Sequence, residues 1–441
     1  MTKKKHQIIF LLITLVFWSY NLHSQKYTPI DTTKNDKRDS FLKEFKADNE
    51  RYIQEIKSKY DAKLAKYISN SYTEFSTEFG AQIKKGNFIF EDEITKFASN
   101  VLEEIKKGNP ELKDTKFKIL ISKSHSLNAF CITDGTFVLN LGLFYWLDNE
   151  DQFAGVLSHE IAHKVLEHSL KKKERDFLEE KNTKRRISEL KKEKYSVSDK
   201  ALTLFRERLY DKGNRAKQQE LQADSLGYVL YRKTNYSKSE YLSAMKLMQR
   251  YDSIKPAGLS ETVYKKYFDL ATQPFNEKWL QKEDFSSYDY SKFTEKIDTD
   301  SIASHPETET RIARILSLFP EVKSETKAYN PNPELYKKLA KIAYLETVPN
   351  LYFNEDYGLS IYAALLYLER DKVNTAFFSE WLGKSFTKIY EARKNYTLNR
   401  YLDRVSPQEQ SESYQLFLSF MWNLNLDEIK KIADFYSSEN H

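Results

Sequence analysis

The sequence predicts an α+β protein that is mostly helical, with a small antiparallel or mixed sheet and an all-α C-terminal appendage. Three observations predict it. Glycine and proline are scarce, 11 and 10 in 441 residues, while 40% of the residues are hydrophobic, a balance that suits long helices around a core. The β-prone runs are gathered between residues 117 and 140. Aromatic-rich amphipathic spacing fills the chain after residue 333.

At the start, Thr2-Lys3-Lys4-Lys5 precedes an apolar run from Ile8 to Trp18 broken only by Thr14. A basic start and an apolar segment of this length form a secretory signal peptide, too short for a comfortable membrane span. Leu22-His23-Ser24 offers the cleavage site, so residues 1–24 are expected to be removed; an uncleaved anchor is the alternative, because Leu22 is large. Removal takes three lysines and no acid and lowers the formal net charge from +6 to +3. No other run approaches the ~20 apolar residues of a transmembrane helix. The lone Cys131 excludes an intramolecular disulfide and reads as packing, not as a nucleophile. Export and mixed charge argue against nucleic acid as a partner and place the chain in the periplasm or cell envelope.

Residues 36–70 are charged, with Leu42, Phe45, Tyr52, Ile56 and Tyr60 at helical spacing, and predict one leading amphipathic helix. Asp92 to Lys106 predicts another. Phe117, Ile119 and Ile121 alternate with their neighbours as in a half-buried strand. Ala129 to Thr133 and Thr136 to Asn140 flank Asp134-Gly135, the signature of a two-residue hairpin. Gly142, Leu143 and Leu147 suggest a short helix, and Asn149 with Gln152 a capping box for the next one.

That next helix contains His159-Glu160-Ile161-Ala162-His163. Residues four apart share a helix face, so His159 and His163 present two imidazoles to one metal while Glu160 reaches a water on it. Zinc lowers the pKa of such a water to about 7, and the carboxylate takes its proton during attack on a peptide carbonyl. A catalytic zinc takes three protein ligands plus water. Downstream, Glu220, Ala223, Asp224 and Gly227 share one helix face that is both acidic and small. Ala223 and Gly227 permit close approach to the first helix, where Gly155 and Ala162 flank His159. Glu220 is then the third ligand, and Asp224 accepts an N–H from a ligand imidazole.

His159 to His163 followed by Glu220-Leu221-Gln222-Ala223-Asp224 resembles metallopeptidase family forty-eight, the gluzincins of the CAAX prenyl protease, HtpX and BepA-like group. The resemblance reaches back to Asn128-Ala129-Phe130 and forward to Ser304-His305-Pro306 with Arg311, roughly residues 80 to 320. It implies a zincin-type metallopeptidase core with one Zn2+ per chain on His159, His163 and Glu220. It implies a catalytic role beside Glu160 for His305, which stabilises the oxyanion or caps the zinc. Arg311 is expected to anchor that loop or an active-site acid. Asn128, Ala129 and Phe130 are implied to line the cleft, where an extended polypeptide joins the sheet edge as an added strand. The domains expected are a signal peptide (1–24), a gluzincin metallopeptidase domain (25–328) and a helical C-terminal domain (334–441).

His168, just over one turn beyond His163, is expected to face the surface. Glu220 follows His163 by 57 positions, and the centre of the spacer, from Lys171 to Lys194, is densely charged with both signs. It reads as a solvated helical excursion; a lid, or contact with acidic lipid or envelope polymer, is the sharper alternative. Tyr329-Asn330-Pro331-Asn332-Pro333 reads as a linker. Residues 356–370 and 376–393 form one aromatic-rich helical pair, a packing appendage or a contact for an envelope protein partner. The function expected is zinc-dependent endopeptidase action on extended, unfolded or misassembled envelope proteins. The alternative is a latent or non-catalytic zinc-containing binding or chaperone-like protein.

Overall fold

A computed structural model describes residues 27–32, 36–90, 92–190, 215–253, 258–282, 308–324, 327–406 and 410–438. The expected signal peptide, His305 with Pro306, and the end of the charged excursion lie outside these residues. The fold is mostly helical α+β. Among the described residues, no helix is long and apolar enough to cross a membrane.

The leading segment is two helices, not one: α1 (Asp36–Lys59) and α2 (Ala62–Lys84). The break falls at Asp61, whose carboxylate caps the N–H groups of Lys63 and Leu64. α2 folds back along α1, joining Phe45 to Phe79 and Asn49 to Tyr72. After β1 (Phe88–Ile89) and α3 (Asp92–Gly108) come β2 (Lys118–Ser122), β3 (Ala129–Cys131) and β4 (Thr136–Asn140). The strand order is β1-β2-β4-β3, with β2 parallel to β4 and the other pairs antiparallel, so β3 is an edge.

β2 is covered on both faces rather than half-buried. Ile121 joins the main core, while Leu120, only 1% exposed, packs under the α1–α2 hairpin with Phe45, Tyr72 and Phe79. The hairpin turn is also longer than two residues. Ile132 N–H donates to Thr136 O and Gly135 N–H to Ile132 O, and Gly135 takes φ +93°, so three residues, Thr133-Asp134-Gly135, make the connection.

α4 (Gly142–Trp146) leads to α5 (Glu150–Val165), the metal-motif helix. The capping box forms by half. Asn149 accepts the N–H of Gln152, but the Gln152 side chain reaches back to the N–H of Asp148. Two buried acids, Glu150 and Asp151, open α5, where negative charge suits the helix dipole. Asp151 accepts the N–H groups of Ser237, Tyr329 and Asn330 at 2.6–2.9 Å, and Glu150 accepts from Tyr236 and Asn332. The expected linker is therefore a strap tied to the start of the motif helix.

α6 (His168–Leu190), α7 (residues 215–231), α8 (Lys238–Ser253), α9 (Glu261–Phe268) and α10 (Thr308–Leu318) follow. The start of the charged excursion is thus a helix, seated on the leading hairpin through Leu170, a Tyr67–Phe177 ring contact and a Tyr60–Glu174 hydrogen bond. The C-terminal helices are α11 (Pro333–Phe353), α12 (Tyr357–Arg370), α13 (Thr375–Lys394), α14 (Glu412–Asn423) and α15 (Leu426–Ser437). α11 gives Tyr336, Leu339 and Ala343 to the main core and Leu345 and Val348 to a second one. The second core also takes in Leu259, Tyr264 and Trp279. Packing therefore runs across the expected boundary between residues 328 and 334.

Candidate metal site and peptide edge

α5 and α7 cross in close contact, which brings the motif residues together. A Cβ on Gly227 would lie 2.9 Å from His159 Cα and 2.7 Å from the Tyr241 hydroxyl, so only glycine permits this approach. Gly155, expected on the same face, packs instead against Tyr241 and Ala244 of α8. At the crossing, His159 Nε2 and His163 Nε2 are 3.0 Å apart, and each lies 3.5 Å from an oxygen of Glu220. A tetrahedral ion with bonds of about 2.05 Å spaces its ligands about 3.3 Å apart, so the three donor groups fit one zinc-sized cation.

The surrounding groups orient the two imidazoles. His159 Nδ1 lies 3.0 Å from Asp224 Oδ1, leaving Nε2 for the cation. Arg311 grips Asp224 with two bonds of 2.7 Å and lies 3.4 Å from Glu220. His168 does not face the surface. It is 5% exposed, with Nδ1 at 3.0 Å from His163 Nδ1 and Nε2 at 3.2 Å from Gln222 Oε1. Gln222 accepting from Nε2–H leaves Nδ1 of His168 to accept from His163, which frees His163 Nε2. Sequence reading missed this relay because residues five apart on an unbroken helix do not meet. Glu167, at φ +53°, breaks the helix and turns His168 back.

Electrostatics divides the two candidate histidines. Burial works against charge on His159, but its bonds to Asp224 and Glu220 outweigh that and push its pKa up to about 10. The field that holds a proton here also favours a metal cation. His163 is pushed down to about 3 by burial and by His159, so it stays neutral. Burial and then Glu220 push Glu160 up to about 7, against the pull of His159, Arg311 and the Cys131 N–H. Asp224 is held below the usual range: burial opposes, but Arg311 and His159 prevail.

Glu160 thus meets the edge strand directly through Cys131. Asn140 N–H to Asn128 O and Ile132 N–H to Thr136 O mark the bonded positions of the β3–β4 ladder. By antiparallel alternation, Ala129 and Cys131 turn their backbone groups away from β4. Phe130 is 39% exposed at this edge. Burial raises the Cys131 thiol well above its ordinary value, consistent with packing.

In comparison with known proteins, this chain is 39% identical over 54 residues to the beta-barrel assembly-enhancing protease of Escherichia coli (strain K12), a stretch covering 12% of this chain and 11% of that one. The proteins of that name from Shigella flexneri and Escherichia coli O157:H7 match with the same figures. The matched stretch is thus about a tenth of the length of these relatives. Residues 95–318, half of the chain, match the sequence model of Peptidase family M48, a family of zinc metallopeptidases. With the motif helix, the Glu220 helix and Arg311 all inside that span, the chain belongs to peptidase family M48.

Proposed function

We propose that this protein is a zinc-dependent endopeptidase of the cell envelope that cuts extended, unfolded or misassembled polypeptides. The observation carrying this reading is the convergence of His159, His163 and Glu220 beside Glu160, next to β3, which is an edge strand among the described residues. Zinc, when bound, supplies Lewis-acid polarisation of a peptide carbonyl and makes water acidic enough to ionise near neutral pH. Glu160 takes the water proton and returns it to the leaving amine. Asp224 and the His168–Gln222 pair hold each ligand ring in its binding tautomer. The edge of β3 receives the substrate as an added strand through the backbone of Ala129 and the Asn128–Phe130 segment. The oxyanion role of His305 belongs to the same proposal. Envelope location rests on the N-terminal pattern, and likeness to an assembly-enhancing protease over a short stretch supports the substrate class. The same proposal includes an envelope protein partner at the C-terminal helices and peripheral membrane contact.

The test is digestion of unfolded casein by residues 25–441 with and without one equivalent of zinc. Zinc-dependent cleavage supports the reading; a chain that binds zinc and cuts nothing favours the non-catalytic binding protein. Ala129→Pro removes an N–H on the free side of β3 without touching the ladder to β4. It is expected to lower peptide cleavage at least about 10-fold while zinc is retained, since a lost edge hydrogen bond misplaces the scissile carbonyl. Unchanged turnover would remove the strand-addition model.

The His168 relay makes a separate prediction. His168→Leu is expected to weaken zinc binding about 10–100-fold, and His168→Asn less, because its amide oxygen can still accept from His163. Chelator competition measures this without any substrate. Equal affinity for the leucine variant and the wild type would show that His168 is mere packing.

A further inference from the structure

Next to the candidate metal site is a cavity that the peptidase reading does not use. It measures about 200 Å³ and lies between the α1–α2 hairpin and the edge strand, with Tyr52, Ile68, Tyr72, Phe75 and Phe130 among its walls. A smaller cavity of about 50 Å³ shares Tyr52, Leu170 and residues 131–133 with it and reaches His163. Through these shared walls the two form a recess beside β3 that reaches His163 at one end. The larger part is lined mainly by apolar and aromatic side chains, with Lys173 and Ser71 hydrogen-bonded to each other in its lining, while the smaller part adds His163, Lys164 and Glu167. Tyr52 lines both parts, and its buried hydroxyl has no hydrogen-bond partner among the described residues.

The position of the recess says what enters. A strand added at β3 sends alternate side chains to the two faces of the sheet. On one face lie α5 and the metal ligands. On the other lies the roof formed by α2, the face that Leu120, Ile132 and Val138 share with Phe45 and Tyr72. We propose that this recess is a side-chain subsite, taking a bulky apolar residue, Phe, Leu, Ile or Met, of the extended substrate. The inference rests on the peptidase reading and adds its specificity. Tyr52, Ile68, Tyr72 and Phe75 precede residue 95, where the family match begins, so one wall of the recess comes from the N-terminal hairpin of this chain. Large apolar side chains are exposed chiefly by unfolded polypeptides, so the subsite selects for the substrate state proposed above.

The test uses the zinc-loaded chain 25–441. Mass spectrometry of a digest of denatured casein is expected to show one position, fixed relative to the cut, enriched in bulky apolar residues. Peptides with Phe at that position are expected to exceed their Ala counterparts in kcat/KM by about 10–100-fold, as filling an apolar pocket allows. Ser71→Trp at the rim fills the recess and is expected to reduce that ratio at least about 10-fold, with the Ala peptide cut as before; Ser71→Leu is the milder substitute should the tryptophan disturb folding. Fluorescence anisotropy of the same labelled Phe and Ala peptides on zinc-loaded Glu160→Gln reads the preference without turnover. If the wild type cuts nothing, the peptidase reading fails, and the anisotropy ratio alone then decides the subsite. Equal binding of Phe and Ala peptides, or a Phe/Ala ratio unmoved by filling the recess, overturns the inference.

Discussion

Glu160→Gln is expected to lower kcat/KM on casein-derived peptides by about 10²–10⁴-fold, the range that a positioned general base supplies. The amide matches the carboxylate in shape and still accepts the Cys131 N–H, so the edge strand and the helix crossing remain in place. What disappears is the capacity to take a proton. Zinc affinity is expected to stay within about 3-fold, because Glu160 is not among the three converging donors and its removal leaves the ligands oriented. Steady-state kinetics with chelator competition on the same preparations separates the two quantities. A variant as active as the wild type would assign the proton transfer elsewhere. A variant that loses zinc as well would make Glu160 a structural anion.

Arg311→Met is expected to cost about 3–5 kcal/mol of stability, the penalty for leaving one half of a buried ion pair alone. Asp224 is 2% exposed and is held by two Arg311 bonds of 2.7 Å and by His159. Without the guanidinium, the carboxylate keeps a charge in an apolar setting with one partner. Its pKa rises from its depressed folded value, and a protonated Asp224 no longer fixes the His159 ring. Zinc affinity should therefore fall about 10–100-fold along with stability. Arg311→Lys restores the charge but not the planar two-bond grip and should fall between. Denaturant unfolding of the zinc-free chain reads the first effect and chelator competition the second. A loss below 1 kcal/mol would mean that water compensates Asp224.

Some of this was legible in the residues because it depends on short spacing. His159, Glu160 and His163 lie within one turn and a half of a helix, so any helix there presents them together. Glu220 and Asp224 were legible because acidic and small residues on one face suit neither solvent nor an ordinary core. The edge hairpin followed from Asp134-Gly135, although the turn took a third residue. His168 was misread because its role depends on the left-handed Glu167 that turns it back. The strap at Tyr329 and Asn330 was misread because the acceptor of its N–H groups, Asp151, lies 178 residues away or more in the chain. The single leading helix was misread because hydrophobic spacing continues through Asp61 while the backbone does not.

By itself, then, the sequence determined the family and the mostly helical α+β class, and it named the candidate ligands and base. These rest on local periodicity and residue type, which act over a few turns. Only the tertiary structure decided the approach of Gly227 to His159, the His168 relay, the anchoring of the motif helix through Asp151 and the recess roofed by the leading hairpin. Each is a contact between segments remote in the chain, and such contacts are set by which surfaces bury one another, a property that spacing along the sequence does not carry.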